Sequence, residues 1–277
     1  MPTKVLEYSH WRHRGEKITM GAFFEAFSKD RCCLCGSAER LTGEHKIKAS
    51  ALKSIFGRAP MVIGHFDGLT EPRDAQGPKS RAFHFSARLC GDCNSSRTQQ
   101  ADFEFVRFHE SALALHLEGN DPGSVFRSNR YAIGTEAYLN VFRYFAKLLA
   151  CQVAESRGPR FLAIVNFASG QSDINPIKLS LEPDLFYREY STLIAKSGFA
   201  AHGGLSTRGD SKTELPNNLE SSLTLGPLRY TFGVGFSSGV AIALKAFDQI
   251  FFDKCQAAYR AAIADHSQAE RAKLNSS

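Results

Sequence analysis

Apolar positions along this chain change their spacing several times, and each change marks a different kind of element. Between residues 95 and 118, Phe103, Val106, Leu113 and Leu117 fall at roughly helical intervals, which predicts a helix broken by GNDPGS at 119–124. Residues 134–155 (GTEAYLNVFRYFAKLLACQVAE) predict a longer amphipathic helix. Beyond it the pattern shortens to FLAIVNF, IKLSLEP, SSLTL and LRYTFGVGF, apolar runs separated by turn residues, which predict strands. Residues 249–273 return to a helical pattern. On the N-terminal side, TMGAFFEAFSK (19–29) predicts a short helix with Phe23, Phe24 and Phe27 on one side. A strand is expected over Leu41–Ile47, two helical turns ended by glycine over 49–57, and an alternating strand over RAFHFSARL (81–89). The stretch 57–80 is rich in Gly, Pro and Asp and predicts an inserted loop.

These elements give an α+β chain. A boundary expected within 119–135 divides it into residues 1–120 and residues 121–277, the second part a helical connector followed by a β-rich region closed by a helix. With 277 residues the chain can bury one large core or two smaller ones. No run approaches the ~18–20 apolar residues of a membrane span. The start, MPTKVLEYSHWRHRGEK, has no apolar run of the signal-peptide kind. A cytoplasmic protein with reduced thiols is therefore expected. The net charge of +6 does not by itself demand a polyanion, but residues 1–60 carry 11 Lys/Arg against 6 Asp/Glu. GVGFSSG (233–239) lacks the Lys-Ser/Thr of a phosphate loop and reads as a strand ending in a turn.

Of the seven cysteines, four fall into two Cys-x-x-Cys steps, Cys32/Cys35 and Cys90/Cys93, followed by glycine at 36 and enclosing glycine at 91. Such turns each present two thiolates, and two of them suit one tetrahedral structural zinc. Cys33 is an alternative to Cys32, but the two-residue gap favours Cys32. Cys151 and Cys255 sit on apolar helix faces and read as core residues.

Between the cysteine pairs lies Glu44-His45, and Asn94 follows the second pair directly. A histidine can take a proton from water near neutral pH. Neighbouring side chains on a strand point to opposite faces, so Glu44 and His45 converge only at a bend or bulge, for which Gly43 is well placed. Asn94 offers a neutral oxygen ligand at a helix start, and also the chemistry of an N-cap.

The combined order CCLCG, TGEHKIKAS, LCGDCNSSRTQQAD resembles the HNH, or ββα-metal, endonucleases, in the subset with Cys-x-x-Cys, Glu-His and Cys-x-x-Cys-Asn. The resemblance spans roughly residues 30–105. It implies an N-terminal ββα-metal domain on a zinc knuckle that hydrolyses DNA phosphodiesters to 5′-phosphate and 3′-hydroxyl ends. His45 would be the general base. Glu44 and Asn94, with Asp102 at the late acidic position, would hold Mg²⁺ or another divalent cation. Arg97, Lys46 and Lys48 would meet the nucleic acid. The chain departs from the family in three places. The stretch after the dyad is long, the proline after the histidine is absent, and Phe85-Ser86 stand where a middle Asn is usual. A zinc-stabilised nucleic-acid-binding or interaction module without chemistry is the alternative, and RNA is a second substrate class. The C-terminal region is left to sequence recognition, homodimerisation or a partner protein, as in restriction and phage-defence systems. His84 and His109 read as structural, His84 remaining a weak site candidate; His10, Trp11 and His13 read as a tail.

Overall fold

In chain order the elements are β1 (Phe24–Glu25), β2 (Leu41–His45), α1 (Ala49–Phe56), β3 (Met61–His65), β4 (Arg73–Ala75), β5 (His84–Cys90), α2 (Gln99–Leu117) and α3 (Glu136–Glu155). There follow β6 (Arg160–Phe161), α4 (Leu162–Ala168), β7 (Ile177–Pro183), β8 (Gly198–His202), β9 (Asn218–Leu225), β10 (Leu228–Gly235) and two helices, Ser238–Phe247 and Gln249–Asn275. The computed structural model describes residues 23–58, 61–65, 73–75, 77, 79–185, 187 and 198–275. The tail bearing His10, Trp11 and His13 lies outside them. The fold mixes α and β, and no helix among the described residues is long and apolar enough to cross a membrane.

Three sheets organise the strands. β2 and β5 form one antiparallel pair, β1 and β6 another, and six strands form a sheet in the order β4-β3-β8-β9-β10-β7. Neighbours in the large sheet are antiparallel except β3 and β8, which run parallel with Met61 opposite Gly198. The long stretch after the Glu-His dyad is therefore not only a loop. It supplies β3 and β4, two strands of a sheet whose other members lie beyond residue 170. The fit of α1 over this sheet is close: a Cβ on Gly198 would lie 2.4 Å from Phe56 Cγ.

α3 is the centre of the molecule. Thr135 caps it by accepting from the Tyr138 backbone N–H, and Glu136 sits in its first turn. Every residue from Asn140 to Val153 is buried. The helix is thus enclosed on all sides where an amphipathic one was expected, packing against α2, α4 and β5. Phe105 of α2 stacks on Tyr144 of α3 with centroids 3.9 Å apart, and Phe145 meets Phe232 of β10 at 5.1 Å. One buried hydrophobic cluster draws residues from Phe24 to Cys255, Val125 and Tyr131 among them, and Phe199 and Ala201 form a second, small one.

Three further expectations change. Phe24–Glu25 are strand rather than helix, because Phe24 is fully buried edge-on to Phe161 and the pair extends onto β6. FLAIVNF is mostly helix: Ile164, Val165, Phe167 and Ala168 are buried at helical spacing, a pattern that a short apolar run hides. The buried residues of α2 are Ala101, Asp102, Glu104, Phe105, Phe108, His109 and Ala112, while Phe103 and Leu117 face outward. The polar residues Asp102 and His109 pull the inner face away from the one apolar spacing suggested.

Candidate metal centre and the Glu-His site

The loop before β2 and the turn after β5 bring the two Cys-x-x-Cys steps together. The Sγ atoms of Cys32, Cys35, Cys90 and Cys93 all lie within 4.8 Å of one another, and Cys35 Sγ is 3.5 Å from Cys90 Sγ. A tetrahedral zinc with Zn–S near 2.3 Å spaces its sulfurs about 3.8 Å apart, so this cluster could hold a metal ion such as zinc. The turns are built for it. Gly36 takes φ 74°, its N–H donating to the Cys32 carbonyl, and the Cys93 backbone N–H points at Cys90 Sγ at 3.4 Å. A hydrogen bond from the Cys93 thiol, with backbone N–H groups nearby, lowers the Cys32 pKa, and the same contact raises that of Cys93. Cys33 is not part of the cluster; its Sγ lies 3.6 Å from Cys151 Sγ on α3.

β2 and β5, separated in sequence by α1, β3 and β4, pair beside this cluster, and α2 follows β5. The ladder is irregular where the dyad sits: Gly43 faces Arg88, yet His45 faces His84. Glu44 and His45 do not converge. Glu44 turns inward and is 6% exposed, whereas His45 is half-buried with its ring 3.9 Å from that of His84. Burial, with the positive charges of Lys147 and Lys48 and the neighbouring His84, lowers the His45 pKa to about 4, so the imidazole is neutral at pH 7.

Asn94 Nδ2 donates to Thr42 Oγ1 at 2.9 Å and to the Gly43 carbonyl at 3.0 Å, tying the helix start to the strand that carries the dyad. Glu155 at the end of α3 braces the other side. It accepts from the Ser86 backbone N–H at 3.0 Å and pairs with Lys46 at 3.1 Å. The segment thus has two braces although the usual Asn is missing at 85–86.

The unforeseen residue is Lys147. It is fully buried on α3, and its ammonium lies 2.9 Å from Glu44 Oε1 and 2.5 Å from Asp102 Oδ1. Lys48 holds the other Asp102 oxygen at 2.5 Å. Burial alone would lower the Lys147 pKa, but Asp102 and Glu44 outweigh it and leave it raised. Burial pushes the Glu44 carboxyl up against the pull of Lys147. Glu44 and Asp102 therefore do not fit a divalent-cation centre as they stand. Both acids are buried against an ammonium, whereas the Asn94 bonds to Thr42 and Gly43 use its amide nitrogen and not the oxygen a metal would take. A lysine in the middle of a long apolar helix, four residues before an apolar cysteine, is the one sequence signal that pointed to Lys147.

Of the three residues expected to meet nucleic acid, Lys46 and Lys48 are held in ion pairs. Arg97 is exposed. His109 is fully buried, its Nδ1 2.7 Å from Tyr230 Oη, a structural position. Beside the cysteine cluster runs a groove of about 820 Å³. It is lined by Lys29, Arg31, Arg88, Arg157 and Arg160 against the acids Glu25 and Glu155, over a floor that includes Val153, Phe161 and Ile164. Sequence spacing gave no sign of this basic lining, because its residues come from three separate segments. Comparison with protein-family models, with curated proteins and with solved structures finds no match to this chain.

Proposed function

We propose that this protein acts on nucleic acid and hydrolyses its phosphodiester bonds, with His45 as the general base. What carries the reading is the placement of His45: a neutral, half-buried imidazole at the end of β2, on a strand-strand-helix unit closed by four cysteines. In this role His45 Nδ1 or Nε2 takes the proton of a water, the resulting hydroxide attacks phosphorus, the bond to the leaving oxygen breaks, and that oxygen takes up a proton from solvent. Arg97, exposed two residues before α2, is proposed as the cation that meets the phosphate. The basic lining of the groove beside the cysteine cluster supports a polyanionic partner. DNA is the first substrate to try, and RNA the second.

A specific observation favours the reading without chemistry: Lys147 engages both acids that a metal-dependent nuclease would leave open. Plasmid DNA incubated with the protein, in buffer free of added divalent cations or with Mg²⁺ or Mn²⁺, separates the two. Nicking that disappears in His45→Ala supports hydrolysis. Equal nicking by both proteins removes His45 from the mechanism. Salt-sensitive binding with no nicking moves the assignment to a nucleic-acid-binding module.

A further inference from the structure

We infer that Lys147 is the resident cation of the strand-strand-helix unit and keeps a divalent metal from Glu44 and Asp102. The inference takes its interest from the reading above, which singles out those two acids, but its geometry stands alone.

Four charged groups from four elements meet here. Glu44 comes from β2, Lys48 from the residue preceding α1, Asp102 from the first turn of α2 and Lys147 from the middle of α3. Two ammonium groups and two carboxylates leave no net charge. Glu44, Asp102 and Lys147 are at most 6% exposed, so water screens their contacts little. A metal between the acids needs their oxygens turned towards it and adds two positive charges beside a fixed ammonium. Lys147 cannot step aside into solvent: its side chain is 1% exposed and is walled in by Tyr144, with the ammonium 5.6 Å from that ring. The acids are thus satisfied from inside the protein. The same arrangement explains why removal of one charge should change what the site binds. With an uncharged side chain at 147, two buried carboxylates face each other with only Lys48 as counter-ion, which is the donor set a hard divalent cation takes.

The test uses the full chain with its cysteine cluster loaded with zinc. Bound Mn²⁺ is counted by electron paramagnetic resonance and by its effect on the thermal midpoint, for the wild type, Lys147→Met and Glu44→Gln. The expected result is no Mn²⁺ bound at millimolar concentration by the wild type, and one Mn²⁺ per chain in Lys147→Met with a midpoint that rises with Mn²⁺. Wild-type protein that binds one Mn²⁺ and loses it in Glu44→Gln overturns the inference. So does a folded Lys147→Met that ignores Mn²⁺, or an unfolded one that Mn²⁺ does not restore. Plasmid cleavage plays no part in these readouts, so absence of nuclease activity would sink the proposed function and leave this inference standing.

Discussion

Replacing Lys147 by methionine keeps the length of the side chain and removes its charge. The ammonium lies 2.9 Å from Glu44 and 2.5 Å from Asp102, all three groups buried. With an effective dielectric of about 20, each such pair attracts by roughly 6 kcal/mol, and most of that offsets the desolvation of the three groups. Removing only the cation leaves the desolvation cost of the acids in place without the attraction. A loss of about 3–5 kcal/mol is expected. For a chain of this size that is a fall in thermal midpoint of roughly 10 °C. Urea unfolding followed by circular dichroism at pH 7.5, with zinc present and other divalent cations absent, measures it. The double variant Glu44→Gln/Lys147→Met restores charge balance, since Asp102 keeps Lys48, and should recover more than half of the loss. The reasoning fails if Lys147→Met costs less than about 1 kcal/mol. It also fails if the double variant is no more stable than the single one.

Two other outcomes follow from the same structure. The purified protein should carry one zinc per chain by elemental analysis, and Cys35→Ser or Cys93→Ser should lose it together with stability; zinc retained at full stoichiometry in both variants would contradict the four-thiolate centre. Burial holds the His109 pKa down at about 4, below its unfolded value, so the unfolded chain takes up the proton first as pH falls. The stability from this residue is complete above about pH 6.5 and is lost towards pH 4, a span worth about 3 kcal/mol. His45 acts in the same direction. The decline between these pH values should be shallower in His109→Phe, and an unchanged slope would remove His109 as its source.

What the sequence could decide was local. The Cys-x-x-Cys steps carry their own geometry, because a two-residue gap with a glycine after it (Gly36) or inside it (Gly91) makes a turn whatever surrounds it, and Cys32, Cys35, Cys90 and Cys93 do come together. The helices over Gln99–Leu117 and Glu136–Glu155 and the strands Ile177–Pro183 and Leu228–Gly235 were legible for the same reason: their spacing repeats over enough residues to name a period. Gly43 likewise marked the place where the ladder loses its register. Partnership across the chain was not legible. Nothing near residue 61 shows that Met61–His65 pairs with Gly198–His202, since β pairing is a contact between distant segments and leaves no mark in either. Phe103 and Leu117 looked inward and face solvent, because the stripe that α2 buries is set by the neighbours of Asp102, Phe105 and His109. Lys147 could be read as an oddity in an apolar helix, but only the packing of α3 against β2 and α2 gave it two carboxylates. A lone charge acquires its meaning from the charges the fold places within 3 Å of it, and that distance is a property of the tertiary structure alone.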